Sequence, residues 1–115
     1  MKKVAYLRKE KETVEVDYSL EKIWVAIPKT IASLGWIIEE IDDKLNQIKV
    51  KTKGSFLSYP SVFRIKAIAI NKKTMQLTVI AETPVTTITS IADFGRTRHR
   101  IDLFFQALAN QLTVN

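Results

Sequence analysis

Cysteine is absent from the 115 residues, which excludes disulfides, thiolate nucleophiles and cysteine-ligated zinc or iron–sulfur centres. Histidine occurs once, at His99. A hydrolase triad would therefore have a single base to draw on, and helical spacing sets His99 about half a turn from the apolar stripe of its helix. Metal binding would fall to carboxylates. Glu39-Glu40 and Asp42-Asp43 flank a turn, however, and neighbours on a strand point to opposite faces. Glycines at 35, 54 and 95 cannot build a phosphate-cradling loop. No run approaches the roughly 20 apolar residues that span a bilayer. The apolar run of Val4-Ala5-Tyr6-Leu7 ends at Arg8 and Lys9, too soon for a signal-peptide core. These absences read as a protein without catalytic machinery, metal or cofactor. It is expected to be cytoplasmic as it stands, with export or membrane attachment left open if a leader or anchor lies outside the sequence.

At 46% hydrophobic and 26% charged residues, the composition is that of an ordinary globular domain. Residues 1–12 read as a charged arm that frays or forms a short edge strand, and 13–115 as one domain. Thr13 to Tyr18 alternates, with Val14, Val16 and Tyr18 on one face, as a half-buried strand does. Ser19 is the expected N-cap of a helix whose stripe is Leu20, Ile23, Trp24, Ile27, Ile31 and Leu34. Gly35 is its expected stop. Pro28 falls inside, at a cost of about 3 kcal/mol in a regular interior, and predicts a kink.

Trp36–Ile41 reads as a strand, followed by a turn at Asp42-Asp43-Lys44. Gln47–Lys53 is the clearest strand, with Ile48, Val50 and Thr52 opposite Lys49, Lys51 and Lys53. Val62–Ile70 and Met75–Glu82 form a hairpin about Asn71-Lys72-Lys73, since asparagine tolerates positive φ, and Pro84 should limit the second strand. The last helix begins with a capping-box-like Ser90-x-x-Asp93 and carries Phe94, Ile101, Phe104, Phe105, Leu108 and Leu112. The order β-α-β-β-β-β-α predicts an α+β fold, with both helices on one face of a mostly antiparallel five-stranded sheet.

Net charge is +6, and it is unevenly spread. Between Asp43 and Glu82 lie Lys44, Lys49, Lys51, Lys53, Arg64, Lys66, Lys72 and Lys73 without a carboxylate. Lys49, Lys51, Lys53, Arg64 and Lys66 are expected to form a positive patch on the open sheet face, shared by alternation with Ile68, Ile70 and Ile80. No aromatic is interleaved with them for base stacking. The second candidate is Arg96-Thr97-Arg98-His99-Arg100. By helical spacing Arg96 and Arg100 share a face away from the core, and Arg98 borders the stripe near Asp102. Cations this near a helix start either oppose its dipole or, with its amides, bind an anion.

Gly35-Trp36 after an amphipathic helix, the loop Gly54-Ser55-Phe56, and Asp93-Phe94-Gly95 leading to Arg100-Ile101 resemble a bacterial and plastid family known as a domain of unknown function. The resemblance covers roughly 14–112 and marks Asp93 and Gly95 as signature residues. The family's Arg-Ser-x-Ser-Arg strand is replaced here by Thr86-Thr87-Ile88-Thr89-Ser90, its asparagine by Thr97, and the first arginine of its pair by His99. The element order also resembles TATA-binding-protein-like domains and outer-membrane assembly lipoprotein domains, an analogy of fold alone. The leading expectation is a non-enzymatic interaction module that binds a protein or anionic partner through the basic sheet face or the arginine segment. A carrier with a hydrophobic-ligand cavity between sheet and helices is one alternative, and sequence-independent nucleic-acid binding another. Self-association through the open face is a further reading.

Overall fold

The computed structural model describes residues 6–54, 59–85 and 95–113. They form β1 (Tyr6–Val16), α1 (Leu20–Ser33), β2 (Ile37–Asp42), β3 (Gln47–Lys51), β4 (Val62–Asn71), β5 (Thr74–Val85) and α2 (Arg96–Thr113). The expected α+β class and element order are both found. All pairings are antiparallel and the sheet order is β1-β5-β4-β3-β2. Strands β2 to β5 form a meander, while α1 carries the chain from one sheet edge to the other. One core cluster joins Ile23, Ile27 and Ile31 of α1, Ile101, Phe104 and Leu108 of α2, and the sheet residues Ile48, Val50, Phe63, Ile65, Leu77 and Val79. Burying each large aliphatic side chain contributes about 1.5–3 kcal/mol.

Local chemistry explains the ends of α1. Ser19 Oγ accepts the Lys22 amide at 3.3 Å. At the other end Gly35 adopts φ +73°, and the amides of Gly35 and Trp36 donate to Ala32 and Ile31 at 3.0 Å, the paired bonds of a Schellman stop. The helix runs on through Pro28, held by the full burial of Ile27 and Ile31 on either side of it. Trp36, Phe63, Phe104 and Phe105 then form a chain of edge-to-face rings, with centroids 5.0, 6.2 and 5.3 Å apart.

Several local expectations are corrected. Residues 6–12, expected to fray or form a short edge strand, do lie in an edge strand, but as part of one 11-residue β1 paired with β5 along its length and continuous with the run from Thr13. Its weak periodicity has a physical source: Arg8, Glu10 and Glu12 share the helix-covered face with Val14 and Val16, opposite Thr83, Ala81, Val79, Leu77 and Met75. Strand β5 passes through Pro84 to Val85. Beyond Glu82 it has no β4 neighbour, and a strand with one open side tolerates a missing amide. Positive φ falls on Asn46 (52°) rather than Asn71; Asn71 shapes its turn by accepting the Lys73 amide on Oδ1 at 2.8 Å. The described part of the last helix starts at Arg96, preceded by Gly95 at φ +78°. The Ser90–Asp93 capping box, Phe94 and the signature residue Asp93 lie outside the described residues.

Candidate functional site

The inner, helix-covered face of the sheet changes character along the strands. At one end Thr52 and Ser61 exchange bonds, Thr52 N to Ser61 O and Ser61 N to Thr52 Oγ1, each 2.9 Å. Ser61 Oγ shares a hydrogen bond with Thr83 Oγ1, and Thr83 lies opposite Arg8. The row across four strands is thus Thr52, Ser61, Thr83 and Arg8. The next rows are Val50–Phe63–Ala81–Glu10 and Ile48–Ile65–Val79–Glu12, and beyond them lie Ala67–Leu77–Val14 and Ala69–Met75–Val16.

The first turn of α2 seals the polar end. Thr97 Oγ1 lies 2.8 Å from Thr83 Oγ1. Arg100 Nη1 donates to Ser61 Oγ at 2.7 Å and to the Tyr59 carbonyl at 3.0 Å. Each hydroxyl can accept from one neighbour and donate to the next, so the run from Arg100 to Thr97 is internally satisfied. Arg100 is only 7% exposed. The expectation that it faces away from the core with Arg96 is overturned: Arg96 is exposed, whereas the Arg100 guanidinium reaches back over the first turn to the β3–β4 connection. Arg98 pairs with Glu12 of β1 and, at 3.2 Å, with Asp102. The expected Arg98–Asp102 pair is present, and the edge strand supplies a second carboxylate that offsets the cation's conflict with the helix dipole. His99 is exposed.

At the opposite end of α2 an apolar crevice of about 130 Å³ opens between helix and sheet edge, lined by Val16, Tyr18, Phe105, Leu108, Ala109 and Leu112. Sequence reading took these residues as core and had no signal for a gap among them. Alternation puts Thr52 on one face with Ile48 and Val50, and the same period of two, continued along the next strands, reaches Ser61 and Thr83, which sequence reading did not single out.

The open sheet face brings Lys49, Arg64 and Lys66 together. Lys49 lies opposite Arg64, and Lys66 opposite Gln47 and Thr78. The continuous basic patch is corrected in extent, because neighbouring strands interleave acids: Glu40 lies opposite Lys49 and Glu82 opposite Val62. Lys51 faces Ile37 and Val62. Lys53 lies beyond β3, its side chain running beside Gly35, where an added Cβ would meet its Cε at 3.3 Å. Ile68 and Ile70 are exposed and Ile80 is half-buried. A groove of about 240 Å³ crosses this face, lined by Glu40, Asp42, Gln47, Lys49, Arg64, Lys66, Thr78 and Ile80. No described helix is long and apolar enough to cross a membrane.

No protein-family model matches the chain, and no curated protein matches it in sequence. Solved structures do resemble it. Norcoclaurine synthase from Thalictrum flavum matches with TM-score 0.71 and 12% identity, over 96% of this chain and 88% of that one; another structure of that enzyme holds dopamine and hydroxybenzaldehyde. The Zhui aromatase/cyclase from Streptomyces sp. R1128 matches with TM-score 0.66 and 11% identity, over 93% and 94%. Ara h 8.0201 matches with TM-score 0.71 and 10% identity, over 96% and 100%. Identities this low carry architecture and not activity. The chain shares the fold of these structures.

Proposed function

We propose that this protein binds a small hydrophobic, ring-containing molecule between α2 and the sheet and acts as its carrier. The observation that carries this reading is the near-complete, two-way overlap with norcoclaurine synthase and Ara h 8.0201. The match runs over 88% and 100% of those two chains. The synthase's dopamine and hydroxybenzaldehyde are small aromatic molecules. The crevice beside Phe105 and Leu108 offers apolar walls of matching chemistry, and burial of apolar area is the main source of affinity in such sites. An interaction module built on the open face as a whole has less support, because Glu40, Asp42 and Glu82 confine its positive charge to a compact cluster at Lys49, Arg64 and Lys66.

The test is native mass spectrometry of the full chain after incubation with a lipid extract and with simple phenols. Retained ligand is expected. The variant Ala109→Trp, which puts an indole in the crevice from an exposed helix position, should abolish retention while the chain stays folded. A mass that remains ligand-free under all conditions sinks the reading.

A further inference from the structure

We infer a second, separate site on the opposite face of the sheet, which takes a compact organic phosphate in the groove between Arg64, Lys66 and Lys49. The argument starts from a local conflict. Lys49 and Arg64 are direct cross-strand partners on one face, an arrangement that like charges destabilise. Lys66 follows two residues along the same strand and face as Arg64, adding a third cation to the cluster. The available carboxylates do not resolve this. Glu39 and Glu40 approach only Lys49, at 3.9 and 4.0 Å. No described carboxylate lies within ion-pairing distance of Arg64 or Lys66. A sequence that keeps three cations adjacent on a strand pair departs from local consistency, and such departures concentrate where a ligand completes the site.

The rest of the groove limits what that ligand is. A guanidinium beside two ammonium groups suits a phosphate, since arginine binds it bidentately and lysine adds point charge. Thr78 contributes a hydroxyl and Ile80 a half-buried apolar floor, so the carbon body attached to the phosphate has a surface to lie on. Glu40 and Asp42 close the β2 side and repel a second anionic group there. The fit is therefore a single phosphate on a neutral or apolar body, not a polyphosphate track. The reading is independent of the carrier function, because inner and outer faces share no side chain.

The ¹⁵N-labelled full chain titrated with phenyl phosphate at low salt would test it. Saturable amide shifts are expected at 47–49, 64–66 and 78–80, with the exposed hairpin lysines Lys72 and Lys73 unmoved. Arg64→Ala, at an exposed position, should weaken binding about tenfold or more, as loss of a charge-assisted bond does. Glu40→Gln should tighten it by releasing Lys49. Co-sedimentation with phosphatidylcholine vesicles containing phosphatidic acid separates the two sources of such a phosphate. Binding to both probes identifies a lipid headgroup, and binding to phenyl phosphate alone a soluble ester. Overturning results are an absence of saturable shifts, equal shifts at Lys72 and Lys73, unchanged affinity in Arg64→Ala, or tighter binding of a single-stranded oligonucleotide than of the monoester.

Discussion

The two ends of the space between α2 and the sheet are held by different physics. At the α2 N-terminus, Thr83, Thr97, Ser61 and Arg100 are buried and bonded to one another; toward the C-terminus, Phe104, Leu108 and Leu112 belong to one apolar cluster with Leu77 and Met75, and Val16 packs against it. The polar end is directional: the Arg100 guanidinium donates into a chain of hydroxyls bonded one to the next, and shape alone does not preserve it. The apolar end depends on volume and tolerates changes of shape that conserve it. One end can therefore fix the helix while the other leaves a crevice open, a division on which the proposed carrier role would draw.

The largest effect should come from removing volume. Phe104→Ala deletes a fully buried ring in contact with both Phe63 and Phe105 and should cost about 3–5 kcal/mol, read as a lower urea midpoint at unchanged slope. Leu108→Met, which keeps the volume, should cost less than about 1.5 kcal/mol. If both variants lose the same stability, the apolar end is more specific in shape than this account allows.

The polar end reverses that sensitivity. Thr83→Val conserves shape but leaves Ser61 and Thr97 without a shared partner, and should cost about 1–3 kcal/mol. Arg100→Met keeps a long apolar stem and removes the donor to the Tyr59 carbonyl and to Ser61 Oγ, for about 2–3 kcal/mol. Equilibrium unfolding in urea reads both, and a neutral Thr83→Val would show that the hydroxyls are incidental. The sharper outcome is a double variant. Thr83→Val with Thr97→Val should cost less than the sum of the singles, since two hydroxyls that bond each other form one unit.

Most of the fold was legible in the sequence. The period-two run at Gln47–Lys53 and three-four spacing from Leu20 to Leu34 each led to an element at nearly those bounds, while the run at Thr13–Tyr18 marked only the last part of β1 (Tyr6–Val16). The arm was not, because an edge strand that turns charged side chains toward the helices breaks the alternation on which strand reading depends. Arg100 was misread for a related reason. Helical spacing gives the angle of a side chain about the axis but not what stands beside it, and the β3–β4 connection folds over that flank to accept the guanidinium. On the open face, one-dimensional charge counting saw a block free of acid, whereas sheet register set Glu40 against Lys49. Pairing partners far apart in sequence decide such patches, and periodicity contains no register.

The smallest expected effect sharpens the comparison at its boundary. Glu12 sits on the inner face between the polar and apolar ends and receives Arg98 from α2. Both side chains keep partial solvent contact, 28% and 41% exposed, so the pair is screened and worth at most about 1 kcal/mol. Glu12→Gln should therefore shift the urea midpoint slightly, and raising the salt concentration should remove part of even that difference. Arg98 also keeps Asp102 at 3.2 Å, which limits the loss further. A cost of several kcal/mol that persists at high salt would mean that Glu12 belongs to the buried polar end, and that the directional network extends one strand further across the sheet than the hydroxyl row.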